Sequence, residues 1–250
     1  MTDPGIYLSV VIPVYNGADQ LPASLDAIAA YAARQSRTFE LILVDDHGDS
    51  ASEALLVAFA ASRPWVTLLR NEQNQGKGYS VSRGMLAARG RYRVFTDADL
   101  AYPIEEVDKI VRQLETSHDV AVACRVLPES RYLMSPTFFH YLYTRHLMSR
   151  FFNALVRWFV IPGMLDTQAG LKGFSDQAAQ RIFPLVTIPG FGFDVECLFI
   201  ATRLGLRIHQ TPVYFRYDSE PTTVRFTNDA LQMIRDLVTI RRNGARGLYG

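Results

Sequence analysis

The chain has 250 residues, of which 48% are hydrophobic, and a formal net charge of +1. This length suits one large domain, and the near-neutral charge points to no nucleic-acid partner. The two cysteines, Cys124 and Cys197, form no Cys-x-x-Cys pair, which argues against a disulfide scaffold or a zinc site and is typical of a reducing compartment. No uncharged apolar run reaches roughly 18 residues, so we expect no transmembrane helix.

The first half of the chain alternates strand and helix patterns. Short apolar runs predict strands at residues 8–14, 39–44, 66–69, 92–96 and 120–124. The patterns between them predict helices at residues 21–34, 52–62, 78–89 and 104–116. Such alternation predicts an α/β fold with a mostly parallel sheet and helices on both faces.

The second half of the chain is less regular. We predict an aromatic-rich helical segment at 134–161, a short loop and strand at 166–174, a helix at 193–204, a strand at 206–217 and a terminal helix at 228–242.

Two carboxylates follow the strand predicted at 92–96. Asp97 and Asp99 are one residue apart, and side chains at i and i+2 of extended backbone point the same way. Ligands of parallel α/β sheets bind at the carboxyl ends of the strands. Both carboxylates can therefore bind one Mg²⁺ or Mn²⁺ together with phosphate oxygens, which removes their mutual repulsion. Asp-x-Asp alone is common in loops, so the preceding strand is what makes this pair informative.

Polar residues also end three other predicted strands. Tyr15 and Asn16 follow the first strand and can face a nucleobase, although a plain core strand is the simpler explanation of this segment. Asp45 and Asp46 follow the second strand. A carboxylate there can accept a hydrogen bond from a base or a ribose, or it can cap the next helix, and both can hold, one for each Asp. Arg125 follows the fifth strand and can neutralise phosphate.

The loop before the third predicted helix contains Gly76, Lys77 and Gly78. Glycines let backbone approach a ligand closely, and a lysine at a helix start can meet phosphate. The Walker spacing is absent, so this is not a P-loop, and a simple helix-entry turn is the alternative. Arg131 and Arg225 can join Arg125 in neutralising a pyrophosphate or an acceptor phosphate, since the guanidinium fork fits phosphate oxygens. The alternative for each arginine is a solvated surface charge.

Residues 138–161 are unusually aromatic. Their polar residues recur every three or four positions and form one stripe, His146, Arg150, Asn153 and Arg157. A helix with this pattern suits a membrane interface with anionic headgroups. The alternative is an inner helix that packs on the sheet with its arginines toward substrate phosphates. We favour the membrane interface because so much aromatic surface is hard to bury in a domain of this size.

Several motifs occur together in the order and spacing typical of one family. They are residues 9–16, 44–49, 74–78 with Arg83-Gly84, and 95–100. In these motifs the chain resembles the family 2 glycosyltransferases, and among them the polyprenyl-phosphate (dolichyl-phosphate) sugar synthases. Residues 166–174 and the stretch Phe193-Asp194-Val195-Glu196 resemble the dolichyl-phosphate beta-glucosyltransferase branch.

The resemblance implies the nucleotide-diphospho-sugar transferase fold of the A type, with added interfacial helices. It implies a catalytic domain at 1–220, with a nucleotide-binding half at 1–125 and an acceptor half at 126–220, and a C-terminal loop and helix at 221–250. Carried over residue by residue, it implies nucleotide contacts from Pro13, Tyr15, Val44, Asp46 and Lys77, diphosphate and Mg²⁺ or Mn²⁺ binding by Asp97, the backbone of Ala98 and Asp99, and sugar or phosphate contacts from Arg125 and Arg225. Asp166 and Asp194 are candidates for sugar-hydroxyl binding or for a catalytic base.

The resemblance also implies inverting transfer of a hexose from UDP-glucose or GDP-mannose to polyprenyl phosphate, by a cytoplasmic protein that is peripheral on the inner membrane face. Glucose is favoured, because Ala101 stands where the mannose-type enzymes carry a metal-binding Gln. An acceptor phosphate is already an anionic nucleophile, so the reaction needs no general base.

Two alternatives differ from this interpretation. One is a soluble transferase that acts on a small molecule or a polysaccharide. The other is a nucleotide-sugar-binding protein without turnover, against which the intact pair of Asp97 and Asp99 speaks.

Overall fold

The computed structural model describes residues 5–134, 156, 160–217 and 226–250, and at 134, 217 and 226–231 it describes the backbone alone. The strands are β1 (Leu8–Val14), β2 (Phe39–Asp45), β3 (Val66–Arg70), β4 (Tyr92–Phe95), β5 (Val120–Cys124), β6 (Arg131–Met134), β7 (Lys172–Ser175), β8 (Ile208–Pro212) and β9 (Tyr214–Tyr217). The helices are α1 (Leu21–Arg34), α2 (Ser50–Ala61), α3 (Lys77–Ala87), α4 (Glu106–Thr116), α5 (Asp176–Ile182), α6 (Phe193–Arg203) and α7 (Phe226–Ala245), with a 3₁₀ turn at Phe183–Leu185.

The main sheet has seven strands in the order β3-β2-β1-β4-β7-β5-β8. Its neighbours pair in parallel, except that β7 runs antiparallel to both β4 and β5. A separate parallel pair is formed by β6 and β9. The predicted α/β fold with a mostly parallel sheet is confirmed, and the reversed strand β7 lies inside it.

Helices cover both faces of the main sheet, as predicted. Successive side chains of a strand point to opposite faces. On β1, Val10 and Ile12 pack with apolar residues of α1, α2 and α4, whereas Val11 packs with those of α3, α6 and α7. A Cβ at Gly84 of α3 would overlap Val11, so glycine lets this helix lie directly on the sheet.

The predicted boundaries are confirmed to within a few residues in the first half of the chain, and corrections fall in the second half. The single strand predicted at 206–217 is wrong, because the chain leaves the main sheet at Pro212, which has no N–H to donate. The next residue, Val213, donates its N–H to Ser130 Oγ (3.1 Å), and β9 then pairs with β6. In the segment predicted at 166–174 only the end is a strand, β7. Strand β6 and helix α5 were not predicted from the sequence.

Most of the aromatic segment 138–161, with the interfacial helices predicted there, lies outside the described residues, as does Arg225. The described residues of this segment, Val156, Val160 and Ile161, are buried in the core. None of the helices among the described residues combines the length and the hydropathy that a membrane-spanning segment requires. The division into domains stays a prediction.

Candidate active site

The predicted nucleotide-binding residues lie at one edge of the main sheet. Parallel strands β1, β2, β4 and β5 end there, so the residues that follow them share this edge. Tyr15, which follows β1, is 53% exposed and available to a ligand. Pro13 and Val44 are register partners on β1 and β2. Val44 is fully buried in this structure, and its predicted contact with the nucleotide stays a prediction.

Asp97 and Lys77 form an ion pair at this edge. The Lys77 Nζ atom lies 2.5 Å from Asp97 Oδ1, and both side chains are partly exposed. Burial lowers the pKa of Lys77, but the carboxylates of Asp97, Asp194 and Asp99 outweigh burial and raise that pKa above its ordinary value. Lys77 therefore stays cationic at neutral pH and partly neutralises the carboxylates around it.

The two predicted metal ligands lie in the turn after β4. Asp99 is exposed, and its Oδ1 accepts a hydrogen bond from the N–H of Ala101 (3.0 Å). Ala98, the residue between the two aspartates in the sequence, is half-buried. Asp97 packs against Gly170. Because β7 is antiparallel to β4 with Phe95 opposite Lys172, Gly170 comes opposite Asp97, and a Cβ on Gly170 would overlap the Asp97 carboxylate.

The donor set at this edge fits a divalent cation that arrives with phosphate. Among the described residues, no three His, Cys, Asp or Glu side chains cluster as a metal centre. Mg²⁺ is usually bound by one or two carboxylates together with substrate phosphates, and does not need an all-protein cage. Asp97 and Asp99 match that requirement, and Asp97 already contacts a cationic group in Lys77.

Asp46 binds the loop that carries Lys77. Its Oδ1 accepts hydrogen bonds from the N–H of Gln75 (2.8 Å) and the side chain of Asn71 (2.7 Å), and its Oδ2 accepts one from the N–H of Gly76 (2.8 Å). The side chain is buried. Asp46 thus positions the residues just before Lys77, and its predicted contact with the nucleotide stays a prediction.

The helix cap expected near Asp46 belongs to Asp49. Its Oδ1 accepts a hydrogen bond from the N–H of Ser52 (2.8 Å) in the first turn of α2. Asn16, which has a left-handed φ of 58°, accepts a hydrogen bond from the Asp49 N–H (2.8 Å). The loops after β1 and β2 are therefore joined directly.

Arg125 is positioned by Asp166. The guanidinium donates from Nε to Oδ2 (2.7 Å) and from its terminal nitrogen to Oδ1 (2.9 Å), and Asp166 is fully buried. Burial opposes ionisation of Asp166, but the charge and hydrogen bonds of Arg125 outweigh it and lower the pKa of Asp166 below its ordinary value. A carboxylate with a lowered pKa is a weak base, so this geometry suits the positioning of Arg125 better than proton removal.

Asp194 forms a buried ion pair with Lys172. The Lys172 ammonium contacts Asp194 and also donates to the carbonyl of Ala169 (2.6 Å), and neither charged side chain is appreciably exposed. Asp194 also acts on Lys77 through its charge. A line of alternating charge therefore runs from Lys172 in the core to Asp97 at the edge of the sheet.

Residues 9–175 match the model of the family described as "Glycosyl transferase family 2". The chain belongs to this family. Three relatives named dolichyl-phosphate beta-glucosyltransferase extend the match to nearly the whole chain. The protein of Dictyostelium discoideum is 30% identical, and the match covers 98% of this chain and 76% of that protein. The protein of Drosophila melanogaster is 32% identical, with 95% of this chain and 75% of that protein covered. The protein of Homo sapiens is 30% identical, with 98% of this chain and 78% of that protein covered. The predicted family resemblance is confirmed.

Solved structures agree with the fold of this glycosyltransferase. Glucosyl-3-phosphoglycerate synthase from Mycobacterium tuberculosis in complex with uridine diphosphate superimposes with a TM-score of 0.68 at 21% identity, covering 96% of this chain and 81% of that one. The same enzyme with Mn²⁺, UDP-glucose and phosphoglyceric acid gives a TM-score of 0.68 at 20% identity, with the same coverage. At this identity the likeness establishes the fold.

Several residues of this candidate site were missed by sequence reasoning. Gly170 and Lys172 lie in residues 166–174, which contributed to the family resemblance, but neither residue was predicted to belong to the site. Asn71 completes the bonding of Asp46, and Arg83 donates to Asn71 Oδ1 (2.6 Å). A lysine in an otherwise apolar stretch was the one available signal, because such a residue is seldom buried without an anionic partner.

Proposed function

We propose that this glycosyltransferase transfers glucose, with inversion, from a nucleotide diphosphate to a polyprenyl phosphate, using Mg²⁺ or Mn²⁺. The observation that supports the proposal most is the similarity, over at least 95% of the chain, to relatives named dolichyl-phosphate beta-glucosyltransferase. Mannose from GDP-mannose is the second choice of donor.

The geometry of the sheet edge supports binding of a nucleotide diphosphate. The exposed ring of Tyr15 follows β1, and Pro13 lies next to the backbone of Val44 on the neighbouring strand. We assign the base and ribose to this side of the edge. Solved structures of glucosyl-3-phosphoglycerate synthase contain uridine diphosphate with Mn²⁺ or Mg²⁺, which supports the same class of donor and metal.

The charged residues support departure of the diphosphate. We assign Asp97 and Asp99 as the side chains that would bind the metal, whose positive charge would favour the anionic leaving group. Arg125 is oriented by Asp166 before any substrate arrives. Such preorganised charge stabilises an anion that develops in the transition state without further rearrangement.

The state of the two other carboxylates supports a reaction without a general base. Arg125 lowers the pKa of Asp166, so this carboxylate is not poised to take a proton near neutral pH, and the Asp194 carboxylate is already bound to Lys172. A phosphate monoester needs no such base, because it is an anion at that pH. Direct attack by this oxygen would invert the anomeric centre of the sugar.

The exposed side of α7 supports an encounter with a membrane surface. Ile234 and Val238 on α7, and Leu248 just after its end, are each about half exposed or more, at 47%, 64% and 54%. The exposed arginines around them are Arg235, Arg241, Arg242 and Arg246. Within residues 232–250 the acidic residue is Asp236, which is buried. Apolar residues among arginines suit an anionic bilayer such as the inner leaflet, and we propose that the protein works peripherally there.

The test is transfer by purified protein of radiolabelled sugar into a lipid phase. UDP-glucose and GDP-mannose are each supplied with polyprenyl phosphate in detergent, with Mn²⁺ or with chelator. We expect label from UDP-glucose in the lipid, dependent on Mn²⁺, and a β-linked product by NMR. The variants Asp97→Asn and Asp99→Asn should each lower the rate of transfer by roughly tenfold or more. The free energy of unfolding of each variant should stay within about 1 kcal/mol of that of the wild type.

The alternatives give different results in the same assay. Transfer to 3-phosphoglycerate or another water-soluble acceptor, with none to the lipid, would replace the proposal by the soluble transferase. Binding of UDP and Mn²⁺ with no transfer to any acceptor would replace the proposal by the nucleotide-sugar-binding protein without turnover.

A further inference from the structure

The first turn of α3, which begins at Lys77, has no side-chain cap. Its N-cap residue is Gly76, and the first N–H groups of a helix have no partner within the helix. The carbonyl of Pro189 supplies the missing acceptor. It accepts hydrogen bonds from the N–H of Gly78 (2.7 Å) and of Tyr79 (3.3 Å). The start of α3 is thus capped by a loop more than a hundred residues away in the sequence.

Glycine makes this contact possible. A Cβ at Gly76 would lie 2.6 Å from the oxygen of Pro189, and a Cβ at Gly78 would overlap the carbonyl oxygen of Ile188. The loop of residues 187–189 therefore lies directly on the backbone that flanks Lys77. Any shift of this loop must shift the start of α3 as well.

Glu196 of α6 binds that loop. Its Oε2 accepts hydrogen bonds from the N–H of Thr187 (3.0 Å) and of Ile188 (2.8 Å), and its Oε1 accepts one from the Thr187 hydroxyl (2.6 Å). Glu196 is fully buried. The Glu196 carboxylate has no hydrogen bond or ion pair with Asp97 or Arg125 in this structure. Any effect of Glu196 on those residues must therefore pass through the loop of residues 187–189.

Tyr249 completes the coordination of Glu196. Its hydroxyl donates to Glu196 Oε1 (2.5 Å) and accepts from the side chain of Asn243 (3.0 Å), and its ring packs edge-on against Phe199. Burial, followed by the bond to Glu196, raises the pKa of Tyr249 to about 12, so the hydroxyl remains a donor at neutral pH. The segment after α7 thereby joins the network.

We infer that Glu196, supported by Tyr249, is a positioning residue for Lys77. Glu196 binds residues 187–188, Pro189 caps α3, and Lys77 is placed against Asp97. From the other side, Asp46 binds the loop that precedes α3, through the N–H groups of Gln75 and Gly76. The inference rests on the proposed function in that Lys77 is one of the predicted contacts of the nucleotide.

The test compares variants of Glu196 with a matched control. Glu196→Leu removes the acceptor at similar size, whereas Glu196→Gln keeps one oxygen for the Thr187 and Ile188 amides and an NH₂ group for the two hydroxyls. The control is Glu40→Leu, because Glu40 is also a buried carboxylate with several hydrogen bonds, from Ser9 (2.6 Å) and Arg89 (2.7 Å).

Two measurements are made on each protein. The first is hydrogen exchange at residues 77–80, without donor or acceptor, and the second is the dissociation constant of UDP with Mn²⁺. For Glu196→Leu we expect faster exchange confined to residues 77–80 and 186–190 and roughly tenfold weaker UDP binding. Glu196→Gln should restore most of both, and Tyr249→Phe should give a smaller change in the same direction.

Glu40→Leu should lower the melting temperature and leave both measurements unchanged. Equal effects of Glu196→Leu and Glu40→Leu, or unchanged exchange at residues 77–80, would overturn the inference. Because exchange is measured without substrates, this test can fail while lipid glycosylation succeeds, and it can succeed while lipid glycosylation fails.

Discussion

The carboxylate of Asp97 rests directly on the backbone of Gly170, in space that any larger residue would need for its Cβ. Lys77 contacts the same carboxylate from α3 at 2.5 Å. Asp97 is therefore placed by contacts from two distant segments as well as by its own strand. A side chain placed in this way loses little freedom when a ligand binds.

Substitution of Gly170 should disable the site without unfolding the protein. In Gly170→Ala the new Cβ must displace Asp97, and a displacement of about 1 Å can cost roughly 100-fold in rate. We expect that order of loss in sugar transfer and a matching loss of Mn²⁺-dependent UDP binding. Gly190→Ala is the control, since a Cβ there meets nothing within 4 Å. Equal activities of the two variants would show that Asp97 need not stay where it is.

The ion pair of Asp166 with Arg125 should make the free energy of unfolding depend on pH in the acid range. Because the folded pKa of Asp166 is lowered, its contribution is complete above the unfolded pKa of about 3.9 and is lost as the pH falls through the folded value. We expect Asp166→Asn to unfold more easily than the wild type at pH 7 by roughly 2–3 kcal/mol. Urea unfolding from pH 7 to pH 2.5 should show the difference shrinking in the acid range, whereas a constant difference would contradict the assignment.

Lys172 and Asp194 should be strongly coupled in stability. Asp194→Leu alone leaves the Lys172 ammonium buried without its carboxylate, and such a loss costs about 3–5 kcal/mol. The double variant Lys172→Met with Asp194→Leu removes both charges and should regain most of that stability. A double-mutant cycle in urea measures the coupling. Additive losses would mean that the two residues act independently.

The exposed side of α7 should bind anionic membranes. Val238→Glu places a negative charge among the arginines of this surface, so it should weaken sedimentation with vesicles that contain phosphatidylglycerol. Val57→Glu is the control, because Val57 is also exposed but lies on α2 at the opposite face of the sheet. Wild-type protein should bind anionic vesicles better than phosphatidylcholine vesicles, and the preference should weaken with salt. Equal binding of anionic vesicles by Val238→Glu and Val57→Glu would show that the exposed side of α7 is not the membrane-binding surface.

Much of the fold could be predicted from local pattern. Strands β1 and β5 and helix α1 have the predicted limits, because apolar periodicity is a property of neighbouring residues. The placement of Asp97 and Asp99 followed from the same patterns, since a residue after a parallel strand lies at the carboxyl edge of the sheet. The second half was harder, because a strand such as β7 is only four residues long and carries no clear period.

The sequence by itself determined the family, the order of the main elements and the edge at which polar residues gather. Only the tertiary structure decided what each of those residues contacts. The reversal of β7 brings Gly170 to Asp97, and the fold of the second half brings Pro189 to the start of α3 and Tyr249 to Glu196. Contacts of this kind depend on how strands are ordered and oriented in space, and the spacing of residues along the chain does not specify them.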